Sequence, residues 1–123
     1  MLPKTAVVSI RKALEGGYTG VFTVTERQKT VRADHSTGFA EVQTVTDAPC
    51  RLSFTTSPAA GDGDTAALTQ SVKLFCAPEV TILEGSRVTV TQNGVTGEYA
   101  RSGMAAMYDT HAEYVLEAFR GWA

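Results

Sequence analysis

The chain has 123 residues and a formal net charge of −2, which predicts one domain, residues 1–123, without the basic stripe that marks a nucleic-acid-binding protein. Its apolar stretches are only a few residues long, so none is expected to span a bilayer. Residues 1–17 lack the apolar segment of a secretory signal, and a cytosolic product is expected.

The first predicted element is a helix over Thr5–Glu15. Threonine suits the N-cap position, apolar residues recur near one helical face, and Gly16-Gly17 supplies a stop signal. Arg11 and Lys12 are expected to face water. Two roles stay open at this point: a helix that covers one end of a sheet, or a docking arm in which Arg11 and Lys12 contact a partner.

Three strands are predicted in the first half of the chain. They are Tyr18–Thr25, Phe39–Val45 and Cys50–Thr55. The charged stretch Glu26–Gly38 is predicted to be a strand end that leads into an exposed turn. The stretch Thr46–Pro49 is predicted to separate the second strand from the third, because proline suits a strand start or an edge.

A break in the strand pattern follows at Thr56–Thr69, which is small, Gly-rich and acidic. A loop of this length in a compact domain is usually functional or disordered. Asp62 and Asp64 alternate with glycines, as in some calcium loops. The further oxygen ligands and the terminal glutamate of an EF-hand are missing, so no metal is expected here.

The run Val72–Gly103 predicts three short strands joined by two tight turns. Glu84-Gly85 is the first turn. Asn93-Gly94 is the second, and it is the strongest hairpin signal in the chain, because both central residues of a type I′ turn need a positive φ. Pro78 breaks the first of these strands, because proline has no N–H to donate, and Val80 and Ile82 are predicted to restart its apolar alternation before the first turn.

The C-terminal stretch Glu113–Phe119 alternates as a strand and is also compatible with a short helix. We favour a strand that closes a barrel, preceded by a turn at Asp109-Thr110-His111. Trp122 fits either a core plug or an exposed anchor for a partner, since tryptophan is enriched in interface hot spots.

Together these elements predict a mainly β protein: a small antiparallel β-barrel or sandwich with an N-terminal helix and a long excursion loop. No nucleophile, phosphate-binding or metalloprotease motif occurs in a usable context, so an enzyme is not expected and no cofactor is implied. The cysteines and histidines lack the spacing of zinc ligands, and Cys50 and Cys76 are expected to be buried, reduced thiols.

Four short motifs occur together in the chain: Lys12–Glu15, Pro49–Phe54, Lys73–Glu79 and Tyr108–Glu117. In this order and spacing they resemble the small head-closure proteins, also called stopper or head-completion proteins, of long-tailed bacteriophages and of phage-like prophage elements. The resemblance extends over most of the chain. Each motif alone is short, and the specificity lies in the set.

The resemblance implies a structural virion protein whose copies form a ring below the portal and adaptor. Such a ring closes the capsid exit, retains DNA and docks the tail. The implied partners are the portal or adaptor ring, tail proteins, further copies of this chain, and packaged DNA that is held without sequence specificity. No membrane partner is implied. The implied location is the head–tail interface of the virion, with the host cytoplasm during assembly.

The resemblance also implies that the excursion loop faces the channel, with Gly61, Asp62, Gly63 and Asp64 as the channel loop. Carboxylates near a column of DNA phosphates repel it, so DNA is held back or slides without sticking. Whether such a loop seals the channel or only lines it stays open.

Three other functions stay open. A tail-completion protein of the same joint is the nearest alternative. A small nucleic-acid-binding β-barrel is the second, for which Arg27, Lys29 and Arg32 form a basic cluster near Phe22. An enzyme with an unrecognised site is the third.

Overall fold

A computed structural model describes residues 2–58 and 68–122 of the chain. Within these residues one helix precedes seven strands: α1 (Lys4–Glu15), β1 (Gly20–Val31), β2 (Thr37–Pro58), β3 (Leu68–Cys76), β4 (Arg87–Gln92), β5 (Val95–Arg101), β6 (Ala106–Met107) and β7 (Ala112–Ala118). Every strand pairing is antiparallel. The predicted mainly β class with an N-terminal helix is therefore confirmed.

The strands pair in a closed ring. Their order is β3-β2-β1-β4-β5-β7, and β3 also pairs with β7, while the short β6 lies beside the start of β7. The closing strand is the one predicted at the C-terminus. It pairs with β3 from Ala112 to Leu116 and with β5 from Leu116 to Ala118.

The core consists of the inward-facing side chains of the ring together with Ile82, which lies between β3 and β4. In β4 and β7 every second residue is buried, as a strand with one apolar face requires. Complete burial of a large apolar side chain contributes about 1.5–3 kcal/mol. The buried apolar residues are Phe22, Val24, Cys50, Leu52, Leu74, Cys76, Ile82, Val88, Val90, Ala112, Tyr114 and Leu116.

The prediction of a strand at Val80 and Ile82 was wrong, because these residues lie in the connection between β3 and β4. Ile82 is nevertheless completely buried. The Tyr114 hydroxyl donates to the Val80 carbonyl oxygen at 2.8 Å and accepts from the Ile82 N–H at 3.3 Å. A side chain of β7 therefore satisfies the backbone groups that a neighbouring strand would otherwise pair.

Both predicted tight turns are present. Asn93 and Gly94 have φ values of 54° and 76°, as a type I′ turn requires, and they join β4 to β5. Gly85 has a φ of 84°, and the Ser86 N–H donates to the Leu83 carbonyl oxygen at 3.2 Å. Local backbone chemistry fixes these two positions.

The strands predicted at Phe39–Val45 and Cys50–Thr55 are one strand, β2. The supposed separator contains a bulge: Thr46 and Asp47 together lie opposite Thr23 of β1. Asp47 adopts a φ of 47°, and its N–H donates to Thr23 Oγ1 at 3.1 Å. The pairing with β1 therefore continues through a sequence that resembles a turn.

The predicted excursion loop is shorter than Thr56–Thr69. Thr56 to Pro58 belong to β2 and pair with Leu68 to Gln70 of β3. The proposed channel-loop residues Gly61, Asp62, Gly63 and Asp64 lie outside the described residues.

Candidate interaction surfaces

Two two-stranded arms extend from the ring at opposite ends of β2. The first arm pairs Glu26–Val31 of β1 with Thr37–Val42 of β2, beyond Thr25, where the pairing of β1 with β4 stops. The second arm pairs Thr55–Pro58 with Leu68–Ser71, beyond Val72, where the pairing of β3 with β7 stops. Two-stranded ribbons are marginally stable alone, so added strands stabilise them.

The first arm presents an open backbone edge. The Arg32 N–H donates to the Ser36 carbonyl oxygen at 2.8 Å, so this residue of the hairpin directs its backbone toward β2. Backbone groups alternate between the two edges of a strand. Lys29 and Val31 therefore direct theirs away from β2, and within residues 2–58 and 68–122 no third strand pairs with β1 there.

The first arm also carries exposed apolar and basic side chains. Phe39 is 57% exposed and Val31 is 73% exposed. The Arg27 guanidinium lies 4.0 Å from the centre of the Phe39 ring, and Lys29 is the cross-strand partner of Phe39. Such a surface suits a partner that offers both apolar area and negative charge.

Trp122 lies against the first arm instead of in the core. It is half-buried, its ring meets Phe119 edge to face at 5.1 Å, and its Nε1–H donates to Glu41 of β2 at 3.4 Å. The Arg87 guanidinium of β4 lies 5.5 Å from the centre of the Trp122 ring. Arg87 also forms ion pairs with Glu41 at 2.8 Å and Glu98 at 3.5 Å. The C-terminal segment is thus fastened to the arm and borders an open cleft of about 450 Å³.

Arg11 and Lys12 lie on α1, which packs on the surface: no residue of this helix is buried, and Val8 is 66% exposed. Arg11 pairs with Glu79 of the β3–β4 connection at 2.6 Å and with Glu15 at 3.1 Å. The hydrogen bond from Arg11 lowers the pKa of Glu79. Arg11 thus attaches the helix to the β3–β4 connection, while Lys12 is exposed.

The structure brings together a cluster around His111 that the sequence does not indicate. Its ring stacks on Tyr108 at 4.7 Å and lies 6.0 Å from Phe75 of β3. His111 Nε2 is 2.7 Å from a Glu113 carboxylate oxygen, and Lys73 of β3 lies 3.4 Å from the same carboxylate. The turn predicted at Asp109-Thr110-His111 is present as a bend at Asp109 and Thr110 before β7, and the cluster joins β3 to β7.

A pH-dependent contribution to stability follows from this cluster. The hydrogen bond to His111, with a further one from Lys73, lowers the pKa of Glu113 from 4.5. A lowered folded-state pKa stabilises the fold above the unfolded-state value, and that stabilisation is lost as the pH falls through the folded-state value. We expect Glu113→Gln to cost about 1 kcal/mol at about pH 7 and clearly less at about pH 3, which is below the unfolded-state pKa.

Chemical denaturation of both proteins at the two pH values measures this difference. Glu117→Gln, an exposed position on the same strand, is the matched control and is expected to leave the stability within about 0.5 kcal/mol of the parent at both pH values. An equal loss for Glu113→Gln at both pH values would show that the carboxylate charge is not responsible.

Cys50 and Cys76 are free thiols and completely buried. Burial raises the pKa of each to about 12, so neither is a thiolate nucleophile in the folded ring. Across the described parts of the chain, no group of three His, Cys, Asp or Glu side chains is arranged to hold a metal ion. Among the same residues, no helix has the length and apolar character needed to cross a membrane.

Comparison with known proteins gave one similar structure. No family model and no curated protein matches the chain. The chain is similar to a solved structure of the phage-like element PBSX protein xkdH from Bacillus subtilis, with 10% sequence identity, a TM-score of 0.45, and coverage of 78% of this chain and 90% of that one.

Proposed function

We propose that this chain is a structural virion protein of a phage head–tail joint. In this role its copies form a ring below the portal or adaptor, close the capsid exit, retain the DNA and dock the tail. We also propose that the protein assembles in the host cytoplasm and ends at the head–tail interface of the virion. It is not proposed to be an enzyme.

The placement of the head-closure-like motifs supports this function. Pro49–Phe54 lies in β2, the strand part of Lys73–Glu79 lies in β3, and the strand part of Tyr108–Glu117 lies in β7. These three strands are neighbours in the ring, because β3 pairs with both β2 and β7. Motifs that are far apart in the sequence therefore form one continuous part of the sheet.

The observation that carries the proposal is the pair of arms at opposite ends of β2. Its 22 residues give a strand of up to about 70 Å. A subunit with two such arms has strand edges available to neighbouring subunits at both ends of β2. Open strand edges accept a further strand from another chain, and head-to-tail contacts of this kind close into rotationally symmetric rings.

The two arms suit different roles in such a joint. We assign subunit contacts to the first arm, whose edge at Lys29 and Val31 is open in the described residues. The second arm leads into residues 59–67, and we propose that Asp62 and Asp64 face the DNA, which their charge repels. Arg11, Lys12 and Trp122 are proposed to border the contacts with portal or tail proteins.

One observation favours the nucleic-acid-binding alternative. Arg27 stacks on the exposed Phe39 ring, with Lys29 directly across the strand pair, and basic grooves with aromatic platforms bind single strands. That function predicts DNA binding by the purified chain that weakens steeply with salt. The joint function predicts an isolated monomer without such binding, and a stable ring of the purified protein alone would contradict it.

Labelling of particles tests the location directly. Gold-conjugated antibody against this chain, applied to purified tailed particles, is expected to mark the head–tail junction. The same serum on particles from a strain lacking the gene is the control. Label confined to the capsid surface or the tail tip would overturn the proposal. Label at the head-proximal end of tails that have separated from heads would favour a tail-completion protein.

A further inference from the structure

Cys50 and Cys76 face each other across two neighbouring strands. Cys50 of β2 is the register partner of Cys76 of β3, and both side chains point into the core, where they are completely buried. The two residues are therefore neighbours in space despite the distance between them in the sequence, and both thiols are free.

The hydrogen bonds of Leu52 reveal which kind of cross-strand pair this is. The Leu52 N–H donates to Gln92 Oε1 at 2.9 Å, and its carbonyl oxygen accepts from Gln92 Nε2 at 3.3 Å. Both backbone groups of Leu52 thus point away from its β3 partner Leu74. Leu52 and Leu74 are consequently a non-hydrogen-bonded pair.

The pair type repeats every second residue along an antiparallel ladder. Cys50 and Cys76, two positions from Leu52 and Leu74 in the same register, are therefore also a non-hydrogen-bonded pair. Their Cα atoms are then about 4.5 Å apart, with the side chains in the closer of the two arrangements. A disulfide needs about 4.4–6.8 Å between Cα atoms, so the register meets its requirement.

We propose that Cys50 and Cys76 are a modification site: they form a cross-strand disulfide when a disulfide-class oxidant such as oxidised glutathione reaches them. One sulfur–sulfur bond forms between the cysteines as both thiols lose their protons. The bond of the oxidant breaks, and two glutathione thiols take up the two electrons and two protons. The resulting disulfide links β2 to β3 at the Cys50–Cys76 end of their ladder.

Burial controls the rate of this reaction. The thiolate is the reactive form, and the buried thiols remain protonated at neutral pH. Oxidation therefore requires local opening of the β2–β3 ladder or takes place during folding. If the chain has the proposed function, the same chemistry predicts reduced thiols during assembly in the reducing host cytoplasm and a disulfide in released particles.

Refolding of the full chain in a glutathione redox buffer tests the proposal. Free thiols are alkylated before mass analysis. The expected product is a monomer that has lost about 2 Da, carries no alkyl group and regains both thiols with dithiothreitol. Its thermal midpoint is expected to lie about 10 °C above that of the reduced chain, because the crosslink restricts the unfolded state.

Cys50→Ala and Cys76→Ala are the matched controls, and each is expected to keep one thiol and show no midpoint shift in the same buffer. Two alkylated thiols, glutathione adducts, a disulfide-linked dimer or a crosslink that lowers the midpoint would each overturn the proposal. The assay uses the purified chain alone. Its outcome is therefore independent of the phage assignment.

Discussion

Replacement of Leu74 with alanine is expected to reduce the free energy of unfolding by about 2–5 kcal/mol. Leu74 is completely buried in β3. It lies between Leu52 of β2 and Tyr114 of β7, its partners on either side. The smaller side chain loses transfer free energy and leaves a cavity that two fixed neighbouring strands cannot fill by collapse.

Urea denaturation monitored by circular dichroism measures this loss. Leu83→Ala is the matched control, because Leu83 is 51% exposed in the β3–β4 connection, and it is expected to cost about 0.5 kcal/mol or less. If the two variants lost equal stability, the interior of the strand ring would not be the core of the protein.

Replacement of Lys29 with proline is expected to prevent assembly while the isolated subunit still folds. The Lys29 N–H points to the open edge of the first arm, and proline is tolerated at such an edge because no internal hydrogen bond is lost. A strand added by a neighbouring subunit would lose a donor and meet the proline ring. We expect the yield of tailed particles to fall by at least about tenfold.

Two further variants separate the possible causes. Lys29→Gln removes the charge and keeps the N–H, so it is expected to assemble normally. Gln28→Pro removes an N–H that points toward β2 and is expected to destabilise the arm itself. Electron-microscopic counts of tailed particles in a complemented deletion strain give the comparison, and normal counts with Lys29→Pro would exclude strand addition at this edge.

Features with a local cause could be predicted from the sequence. The turn at Asn93-Gly94 depends only on residues that accept a positive φ. The alternation in β7 was equally visible, since one side of that strand is buried and the other is not. The N-terminal helix was also predicted nearly to its observed bounds, since it ends at Glu15, directly before Gly16. Its N-cap is Pro3 instead of Thr5, and Gly16 keeps a right-handed φ of −62°.

Features that depend on distant partners could not be predicted. Pro49 looked like a strand boundary, yet β2 continues through it. Pro49 is opposite Val21 of β1, while β3 pairing begins only at Cys50, so its missing N–H interrupts no β2–β3 bond. The His111 cluster likewise needs the register of β3 and β7, which brings Phe75 and Lys73 beside it.

The proposed docking residues show the same limit. The exposure of Trp122 or Arg11 cannot be predicted from composition, because it depends on contacts with residues that are distant in the sequence. Trp122 meets Glu41 of β2, and Arg11 meets Glu79 of the β3–β4 connection. Sequence spacing alone gives no information on either pairing.

Electron microscopy of particles from a strain that lacks this gene tests the central claim most directly. The parent strain, which makes tailed particles, and the complemented deletion strain are examined in parallel. The proposed function predicts separate tails beside emptied or tailless heads, with tailed, DNA-filled particles restored by the complementing gene. Intact tailed particles filled with DNA in the deletion strain would contradict it.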